Sequence, residues 1–200
     1  MLQILKDIDE EIFIWINQSH TPFWDKVMVI ASDKYFWIPF YAALLIFLFF
    51  NFKKKTFLLL VAIALAIGAA DSFSSAFLKP FIARLRPCHD AALVGSINIV
   101  NGCGSRFGFV SSHAANSFAL AIIIALVLPP KFNYLKLVLF FWAIVVSYSR
   151  IYLGVHYPGD VLGGALLGLL TGSLAWLLFQ FLLQRLYRVN KTIIKKRKTD

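Results

Sequence analysis

Long apolar stretches with few charged residues constrain this chain more strongly than any other feature. A helix needs about 20 apolar residues to cross a bilayer, and the 200-residue sequence contains several segments of about that length. Only 15% of its residues are charged and 60% are hydrophobic, whereas soluble domains have about 25% charged residues. The composition therefore excludes an ordinary soluble domain, a disordered chain and a disulfide-dense secreted peptide. We predict an all-α integral membrane protein, a helical bundle of about five transmembrane helices over residues 36–52, 56–78, 112–128, 132–149 and 161–184.

The first 33 residues differ from the rest. Their apolar residues recur at helical spacing and share one face of a helix, whereas charged residues fill the other face. Such a pattern indicates an amphipathic helix that lies in the membrane interface. Its acidic start and the lack of a cleavage site argue against a signal peptide. Thr21 and Pro22 then predict a second short interfacial helix, with threonine as the N-cap and proline at the first position. The alternative is that both pieces together form a sixth span. The apolar residues of the first helix are Leu2, Leu5, Ile8, Ile12 and Trp15.

The net charge of +10 admits two interpretations. A basic soluble domain would suggest a nucleic-acid partner, but here the basic residues gather on one predicted side of the membrane, at residues 53–55 and in the tail. Lysine and arginine mark the cytoplasmic side of membrane proteins. We therefore expect a cytoplasmic C-terminus, an outer N-terminus and no nucleic-acid partner. The expected organisation is a single domain, residues 1–200, with interfacial helices over 1–33, the transmembrane bundle over 34–188 and a basic cytoplasmic tail over 189–200.

The segment between the second and third predicted spans, residues 79–111, is long enough to suggest function. It contains both cysteines, Cys88 and Cys103, and lies on the predicted outer side, where disulfides form. We expect these two cysteines to form a disulfide. The alternatives are two free thiols or a metal site that includes His89, although so few ligands are a weak zinc signature.

Polar and charged residues concentrate at the outer ends of the spans. Lys79, Arg86 and Arg150 suit an anion with several oxygens, such as a phosphate. The alternative for each is a cation that reaches from a helix end to the membrane surface. Ser111 stands where the third span begins, so it suits either an N-cap or an anion site formed by free helix N–H groups. His113 follows two residues later, where an isolated histidine is more often simply packed.

His156 and Asp160 lie four residues apart, on either side of Pro158. Because proline favours the first turn of a helix, we expect His156 to precede the fifth span and Asp160 to lie in its first turn. A carboxylate that holds one ring nitrogen fixes the tautomer and leaves the other nitrogen free to attack. Another carboxylate, Asp71, lies within the second span, where we expect it to support the basic cluster or to pair with a neighbouring serine hydroxyl.

Together these residues resemble the three-part signature of the type 2 phosphatidic acid phosphatase superfamily, which also includes the vanadium haloperoxidases. The first part is a lysine, six residues and Arg-Pro. The second is Pro-Ser-Gly-His, and the third is Ser-Arg, five residues, His, three residues and Asp. The resemblance covers about residues 56–180. Val110 and Ser112 replace the proline and glycine of the second part, and we expect the Ser112 side chain to narrow the range of substrates. The matching residues are Lys79 and Arg86-Pro87, Ser111 and His113, and Ser149-Arg150 with His156 and Asp160.

This resemblance implies a role for each matching residue. His156 would be the nucleophile that forms a phosphohistidine, and Asp160 would orient it. His113 would protonate the leaving oxygen and then activate water. The resemblance implies no metal ion and no other cofactor, since cations and a helix dipole would stabilise the phosphoryl charge. The phosphate-binding residues would be Lys79, Arg86, Arg150, Ser111 and Ser112.

The resulting hypothesis is a membrane phosphatase for lipid phosphates or diphosphates, with its active site on the periplasmic face of a bacterial cytoplasmic membrane. The favoured substrates are undecaprenyl diphosphate and phosphatidylglycerophosphate. The alternatives are a lipid A phosphatase, a lipid phosphotransferase and, from another class, a non-catalytic lipid-binding or transport protein. The expected partners are the lipid substrate and the bilayer, with no nucleic acid and no obligate protein partner.

Overall fold

The computed structural model describes the backbone of residues 2–93 and 95–196 and the side chains of residues 3–93 and 95–188. Within these residues the chain is mostly helical. Its one β-type pairing is an isolated antiparallel bridge between Leu85 and Phe107, in the segment 79–111, which we call the outer loop after its predicted side of the membrane. The prediction of an all-α protein is therefore confirmed. In chain order the α-helices are α1 (Leu2–Gln18), α2 (Pro22–Ser32), α3 (Ile38–Phe52), α4 (Lys55–Ser72), α5 (Lys79–Ile82), α6 (Ser112–Val127), α7 (Asn133–Tyr152) and α8 (Pro158–Lys196), with a π-helical segment, Phe73–Leu78, between α4 and α5.

Long apolar helices account for much of the chain. Among the described residues, three helices are long and apolar enough to cross a membrane, and they run over Lys55–Ile82, Pro130–Tyr152 and Pro158–Arg188. Ile38–Phe52 and Ser112–Val127 are shorter apolar helices. Each segment that the sequence predicts as a span falls on one of these helices. The number of spans, five or six, stays a prediction.

The last helix is longer than the sequence predicts. The apolar pattern predicts residues 161–184, whereas α8 begins at Pro158 and continues to Lys196. Leucine, lysine and arginine are good helix formers, and neither glycine nor proline interrupts the chain after Gly172. Most of the predicted basic tail therefore continues α8, and residues 197–200 lie outside the described residues.

Helix α6 lies at the centre of the bundle, in contact with α4, α7 and α8. Glycines let α8 approach it closely, because a Cβ atom at Gly168 would collide with the carbonyl of Ala115, and one at Gly172, a turn later, would collide with the carbonyl of Ala119. The two helices run parallel, so their N-terminal ends lie side by side. At that end the N–H of Ser111 donates to the carbonyl of Asp160 at 2.9 Å. Packing of small residues thus brings two distant parts of the sequence together.

The N-terminal region forms two separate helices, α1 and α2, with a break between them. Thr21 caps α2 by accepting a hydrogen bond from the N–H of Trp24 at 3.3 Å, and Pro22 occupies the first helical position. Both features follow the sequence prediction.

Helix α1 has an apolar face that the protein leaves exposed and an opposite face that packs on the bundle. Trp15 is 73% exposed, whereas Phe13 and Asn17 are fully buried. The side chain of Asn17 donates to the carbonyls of Asn98 and Tyr152, both at 2.8 Å. The amphipathic pattern predicts a solvated polar face, but part of that face instead docks against the loops that precede α6 and α8.

Candidate active site

His156 and Asp160 meet at the N-terminal end of α8. His156 lies in the turn before the helix and Asp160 in its first turn, as the position of Pro158 predicts. Nδ1 of His156 lies 3.2 Å from Oδ2 of Asp160, and the N–H of Tyr157 donates to the same oxygen at 3.1 Å. Because a carboxylate oxygen only accepts, Nδ1 carries the ring proton and Nε2 keeps its lone pair. The ring therefore has a fixed orientation and a nucleophilic nitrogen.

The His156 side chain is buried among cations. Burial has the largest effect, followed by the positive charges of the surrounding residues, Arg86 first, and together they hold the pKa of His156 well below its ordinary value. The ring is therefore neutral at neutral pH. The neutral form is the one that can attack a phosphorus atom.

Arg84 of the outer loop ties this pair to the N-terminal helix. Its Nη1 donates to Oδ1 of Asp160 at 3.1 Å, and its Nη2 donates to Oδ2 of Asp9 at 2.6 Å. The other oxygen of Asp9 accepts the N–H of Gly159 at 2.6 Å. The guanidinium carbon also lies 4.1 Å from the ring centre of Tyr157. A residue of α1 thus contacts both the first turn of α8 and the arginine that holds Asp160.

Sequence reasoning missed both Asp9 and Arg84 as residues of the site. Arg84 lies in the basic run between Lys79 and Arg86, and this run was a signal that could have identified it. No local signal marks Asp9, because the helical pattern places it on a solvated face and its partner lies 75 residues away.

Gly108 allows the outer loop to approach the His–Asp pair. A Cβ atom at this position would lie 2.8 Å from Oδ2 of Asp160, 3.2 Å from Cγ of Arg86 and 3.5 Å from Nδ1 of His156. The N–H of Gly108 also donates to the carbonyl of Arg84 at 2.9 Å. Any larger residue would push on the carboxylate that orients His156.

Arg86 is held rigidly by the same loop and is only 7% exposed. Its Nε donates to the carbonyl of Phe107 and its Nη2 to Oγ of Ser105, both at 3.2 Å, and its backbone N–H donates to the carbonyl of Arg106 at 3.1 Å. Burial lowers the pKa of Arg86, while nearby Asp160 acts in the opposite direction. The guanidinium stays charged, because its ordinary pKa is above about 12. Arg86 is therefore a fixed cation beside the His–Asp pair.

A disulfide between Cys88 and Cys103 closes the outer loop. Nε2 of His89 lies 3.2 Å from the carbonyl oxygen of Gly104, so this histidine pairs with the backbone. Both cysteines take part in the disulfide, so neither is a free thiol. More generally, no group of three or more His, Cys, Asp or Glu residues in the described part of the chain is placed to hold a metal ion.

Lys79, from the first part of the three-part signature, is held by Ser112, from the second part. Its Nζ donates to Oγ of Ser112 at 2.7 Å. The same hydroxyl lies 2.6 Å from Oγ of Ser74 and 3.1 Å from Oγ of Ser75, which belong to the π-helical segment. Such segments are frequent at functional sites. Ser112 thus orients Lys79, which the glycine at this position of the family signature cannot do. The effect of the Ser112 side chain on the range of substrates stays a prediction.

Two of the buried polar atoms that have no partner among the described residues belong to residues expected to bind phosphate. One is Nε of Arg150, whose Nη1 donates to Oγ of Ser32, and the other is Oγ of Ser111. Ser111 is the N-cap of α6, but its side chain makes no capping hydrogen bond. Unpaired buried polar atoms are costly. Both atoms therefore suit an oxyanion that completes their hydrogen bonds.

His113 lies in the first turn of α6 and faces the same group of cations. Its ring interacts electrostatically with Arg150, His156 and Arg86. Within the described residues, its side chain makes no hydrogen bond, and it lines a cavity between the helices. His113 is therefore placed to exchange a proton with a bound group.

This cavity has a volume of about 510 Å³ and lies between α3, α4, α6 and α7. Ser112 and His113 line its outer part, whereas Leu48, Leu60 and Ile124 line its inner part. The volume is in the usual range for ligand sites, about 300–1,000 Å³. The cavity suits a molecule with a polar end and an apolar chain.

Asp71 lines the same cavity, and one of its two predicted roles agrees with the structure. Nδ2 of Asn116 donates to Oδ1 of Asp71 at a long 3.5 Å. Ser74 donates instead to the backbone carbonyl of Asp71, so no serine pairs with the carboxylate and that expectation is wrong. Asp71 does interact electrostatically with Lys79, which agrees with the expectation that it supports the basic cluster.

Comparison with known proteins gives consistent results over the region that carries this site. The family model of the PAP2 superfamily matches residues 57–184. The chain is 42% identical over 189 residues to the lipid A 4'-phosphatase of Bacteroides thetaiotaomicron, covering 93% of this chain and 81% of the relative. It is 31% identical over 184 residues to the lipid A 4'-phosphatase of Porphyromonas gingivalis, covering 90% and 76%. Among solved structures, it resembles Aquifex aeolicus LpxE with a TM-score of 0.61 and 32% identity, covering 82% of this chain and 92% of that one.

Proposed function

The chain belongs to the PAP2 superfamily, and from this premise we propose that it hydrolyses the phosphate group of a membrane lipid through a phosphohistidine intermediate. The observation that carries the proposal is the meeting of a neutral, oriented His156 with several cations, next to His113, which lines one end of the cavity. Such a group of cations suits a phosphate, and the apolar part of the cavity suits a lipid chain.

In the first step, Nε2 of His156 attacks the phosphorus atom, and the bond between phosphorus and the lipid oxygen breaks. His113 gives a proton to that oxygen, so the lipid leaves as an alcohol. The negative charge of the bound phosphate favours the protonated form of His113 that this step needs. The groups that hold the other phosphoryl oxygens are Lys79, Arg86, Arg150, the hydroxyl of Ser111 and the N–H of Ser112.

In the second step, water attacks the phosphohistidine and the phosphorus–nitrogen bond breaks. His113 is now neutral and accepts a proton from the water. Inorganic phosphate leaves, and both histidines return to their initial states. Asp160 accepts a hydrogen bond from the Nδ1–H of His156 throughout and stabilises the positive charge that the ring carries in the intermediate.

The proposed topology has five membrane-spanning segments, with the site on the periplasmic face and the C-terminus in the cytoplasm. The distribution of basic residues supports this orientation. The exposed apolar face of α1 supports an interfacial position for this helix, in which residues such as Trp15 contact lipid. In this arrangement a lipid phosphate reaches the site while its chains stay in the bilayer.

Lipid A phosphate is the first candidate substrate, because two similar relatives are named lipid A 4'-phosphatases and this chain covers at least 76% of each. The sequence alone favours a different order of substrates, with undecaprenyl diphosphate and phosphatidylglycerophosphate before lipid A. Those two lipids are the appropriate comparisons in an assay.

The test is phosphate release by the purified protein in detergent from these three lipids, with and without EDTA. We expect release from at least lipid A, and we expect EDTA to have no effect. His156→Gln should abolish release, whereas His20→Gln, which changes an exposed histidine, should not. Full activity of the His156→Gln protein would rule out the mechanism.

A labelled lipid phosphate distinguishes hydrolysis from transfer to another lipid. Hydrolysis yields free inorganic phosphate as the only labelled product, whereas a phosphotransferase yields a second labelled lipid. Label should also remain on the protein after a rapid alkaline quench, and this label should be absent from the His156→Gln protein.

A further inference from the structure

Asp71 is a carboxylate on a membrane-crossing helix, and no described cation lies within ion-pair distance of it. Among the described residues, its side chain accepts one hydrogen bond, the 3.5 Å contact from Asn116. Carboxylates in such segments are costly and usually face a cavity or a polar partner. The Asp71 side chain is exposed and lines the cavity. It therefore presents hydrogen-bond acceptors to whatever enters there.

Asn116 places this carboxylate about one helical turn below His113. Residues three apart on an α-helix share a face and differ by about 4.5 Å along its axis. Both residues line the cavity. In the proposed reaction His113 protonates the oxygen that joins the phosphate to the lipid. The atoms of the lipid that follow this oxygen therefore face Asn116 and Asp71.

Deeper in the cavity the walls are mainly apolar. On α6, Ser117 follows Asn116, but its hydroxyl already donates to the carbonyl of His113 at 2.8 Å. The next lining residues of α6 are Leu120 and Ile124, and Leu60 and Ile63 line the cavity from α4. A donor that satisfies Asp71 must therefore belong to the first atoms after the phosphate, whereas the remainder of the ligand must be apolar.

We propose that Asp71 and Asn116 form a subsite for hydroxyl or amide N–H groups of the leaving alcohol. This subsite selects phosphate monoesters of sugar-type lipids over isoprenoid diphosphates, and the inference rests on the proposed function. A sugar ring carries donors on the atoms next to its phosphate ester. An isoprenoid diphosphate instead brings its second phosphate to this position, where the charge of Asp71 repels it, because like charges interact strongly away from water.

The test compares kcat/KM for lipid A and for farnesyl diphosphate in the same preparation of each variant. Asp71→Asn should lower the value for lipid A about tenfold or more, since a hydrogen bond to a charged group is lost, and should raise the value for farnesyl diphosphate. Asn116→Leu should lower the value for lipid A less. The ratio of the two values does not depend on how much of the protein is folded.

Ser72→Ala is the matched control. Ser72 is the next residue of α4, at the same depth but about 100° around the helix, and it does not line the cavity. Its substitution should leave the ratio unchanged.

An equal fall for both substrates in Asp71→Asn, or an unchanged ratio, overturns the inference. If Asp71→Asn does not fold, Asn116→Leu provides the test. An unchanged ratio of the two kcat/KM values in that variant then overturns the inference. A wild-type protein that hydrolyses farnesyl diphosphate but not lipid A also overturns it, while the proposed phosphatase activity stands. A wild-type protein that releases phosphate from no lipid contradicts the proposed function itself.

Discussion

Asp9 of the N-terminal helix forms a 2.6 Å ion pair with Arg84, and the same arginine holds the carboxylate of Asp160. The side chains of Arg84 and Asp9 are 26% and 14% exposed, so water only partly screens their charges. The orientation of His156 therefore depends, through Asp160 and Arg84, on a helix at the periphery of the bundle. Docking of α1 and alignment of the proposed nucleophile are structurally coupled.

Substitution of Asp9 should lower catalysis without weakening phosphate binding. In Asp9→Asn the side chain keeps its size but loses the charge that pairs with Arg84, so Asp160 and His156 are held less firmly. We expect kcat to fall about tenfold, which corresponds to about 1.4 kcal/mol, with little change in KM. Measured kcat and KM, together with the inhibition constant of inorganic phosphate, test this expectation.

Asp7→Asn is the control for this substitution. Asp7 lies on the same helix, is exposed and contacts only Gln3 among the described residues. Its change should leave kcat intact. A similar loss in both variants, or a rise in KM alone for Asp9→Asn, would contradict a positioning role for Asp9.

Gly108→Ala should abolish most of the activity. The new Cβ atom would lie 2.8 Å from Oδ2 of Asp160 and 3.2 Å from Cγ of Arg86, too close for either group to stay in place. Gly68→Ala adds the same atom to α4 where nothing lies within 4 Å, so it should be harmless. Rates of phosphate release by the two purified variants make the comparison, and equal rates would show that the close approach at Gly108 does not matter.

His156 should stay neutral into mildly acidic solution. Burial and the surrounding cations hold the pKa of His156 well below its ordinary value of 6.5, so the neutral form persists as the pH falls through 6.5. The ring signal of His156 in an NMR titration, assigned by its absence from His156→Gln, should show no protonation step at or above that pH. A midpoint at 6.5 or higher would mean that the ring is not buried among cations.

Loss of the disulfide should destabilise the outer loop. A bridge that closes a loop of about 15 residues stabilises a protein by about 3 kcal/mol, and here the loop also carries Arg86. The double variant Cys88→Ser/Cys103→Ser should have a lower Tm than the wild type, and it should lose activity at lower temperature. A reductant should produce the same change in the wild type and none in the double variant, whereas a wild type that is indifferent to reductant would contradict the prediction.

The sequence predicts well those features that depend on neighbouring residues. Each predicted span falls on a helix, since apolar length and composition are local properties. Pro158 places His156 before α8 and Asp160 in its first turn, because proline constrains the residues around it. The cysteines pair as expected, although the sequence alone left two alternatives open.

The sequence predicts less well those features that depend on contact between distant segments. Ser112 was expected to affect the range of substrates, but its hydroxyl also holds Lys79, because α4 and α6 pack with this serine against the π-helical segment. For Asp71 the sequence predicts either support of the basic cluster or a serine partner near it in the chain. Asp71 interacts with Lys79, as the first alternative predicts, but its hydrogen-bond donor is Asn116 on another helix. In each case the partner is set by helix packing, which the local pattern does not contain.

The sequence by itself determined the class of fold and the set of candidate reactive groups, because apolar length, proline position and the spacing of the three parts of the signature are written along the chain. Tertiary structure alone decided how these groups are held. Close packing at Gly168 and Gly172 sets the ends of α6 and α8 side by side, and Gly108 lets the outer loop reach the His–Asp pair. Arg84 then joins Asp160 to Asp9. The Arg84–Asp9 contact spans 75 positions of the sequence and forms only when α1 docks on the folded bundle.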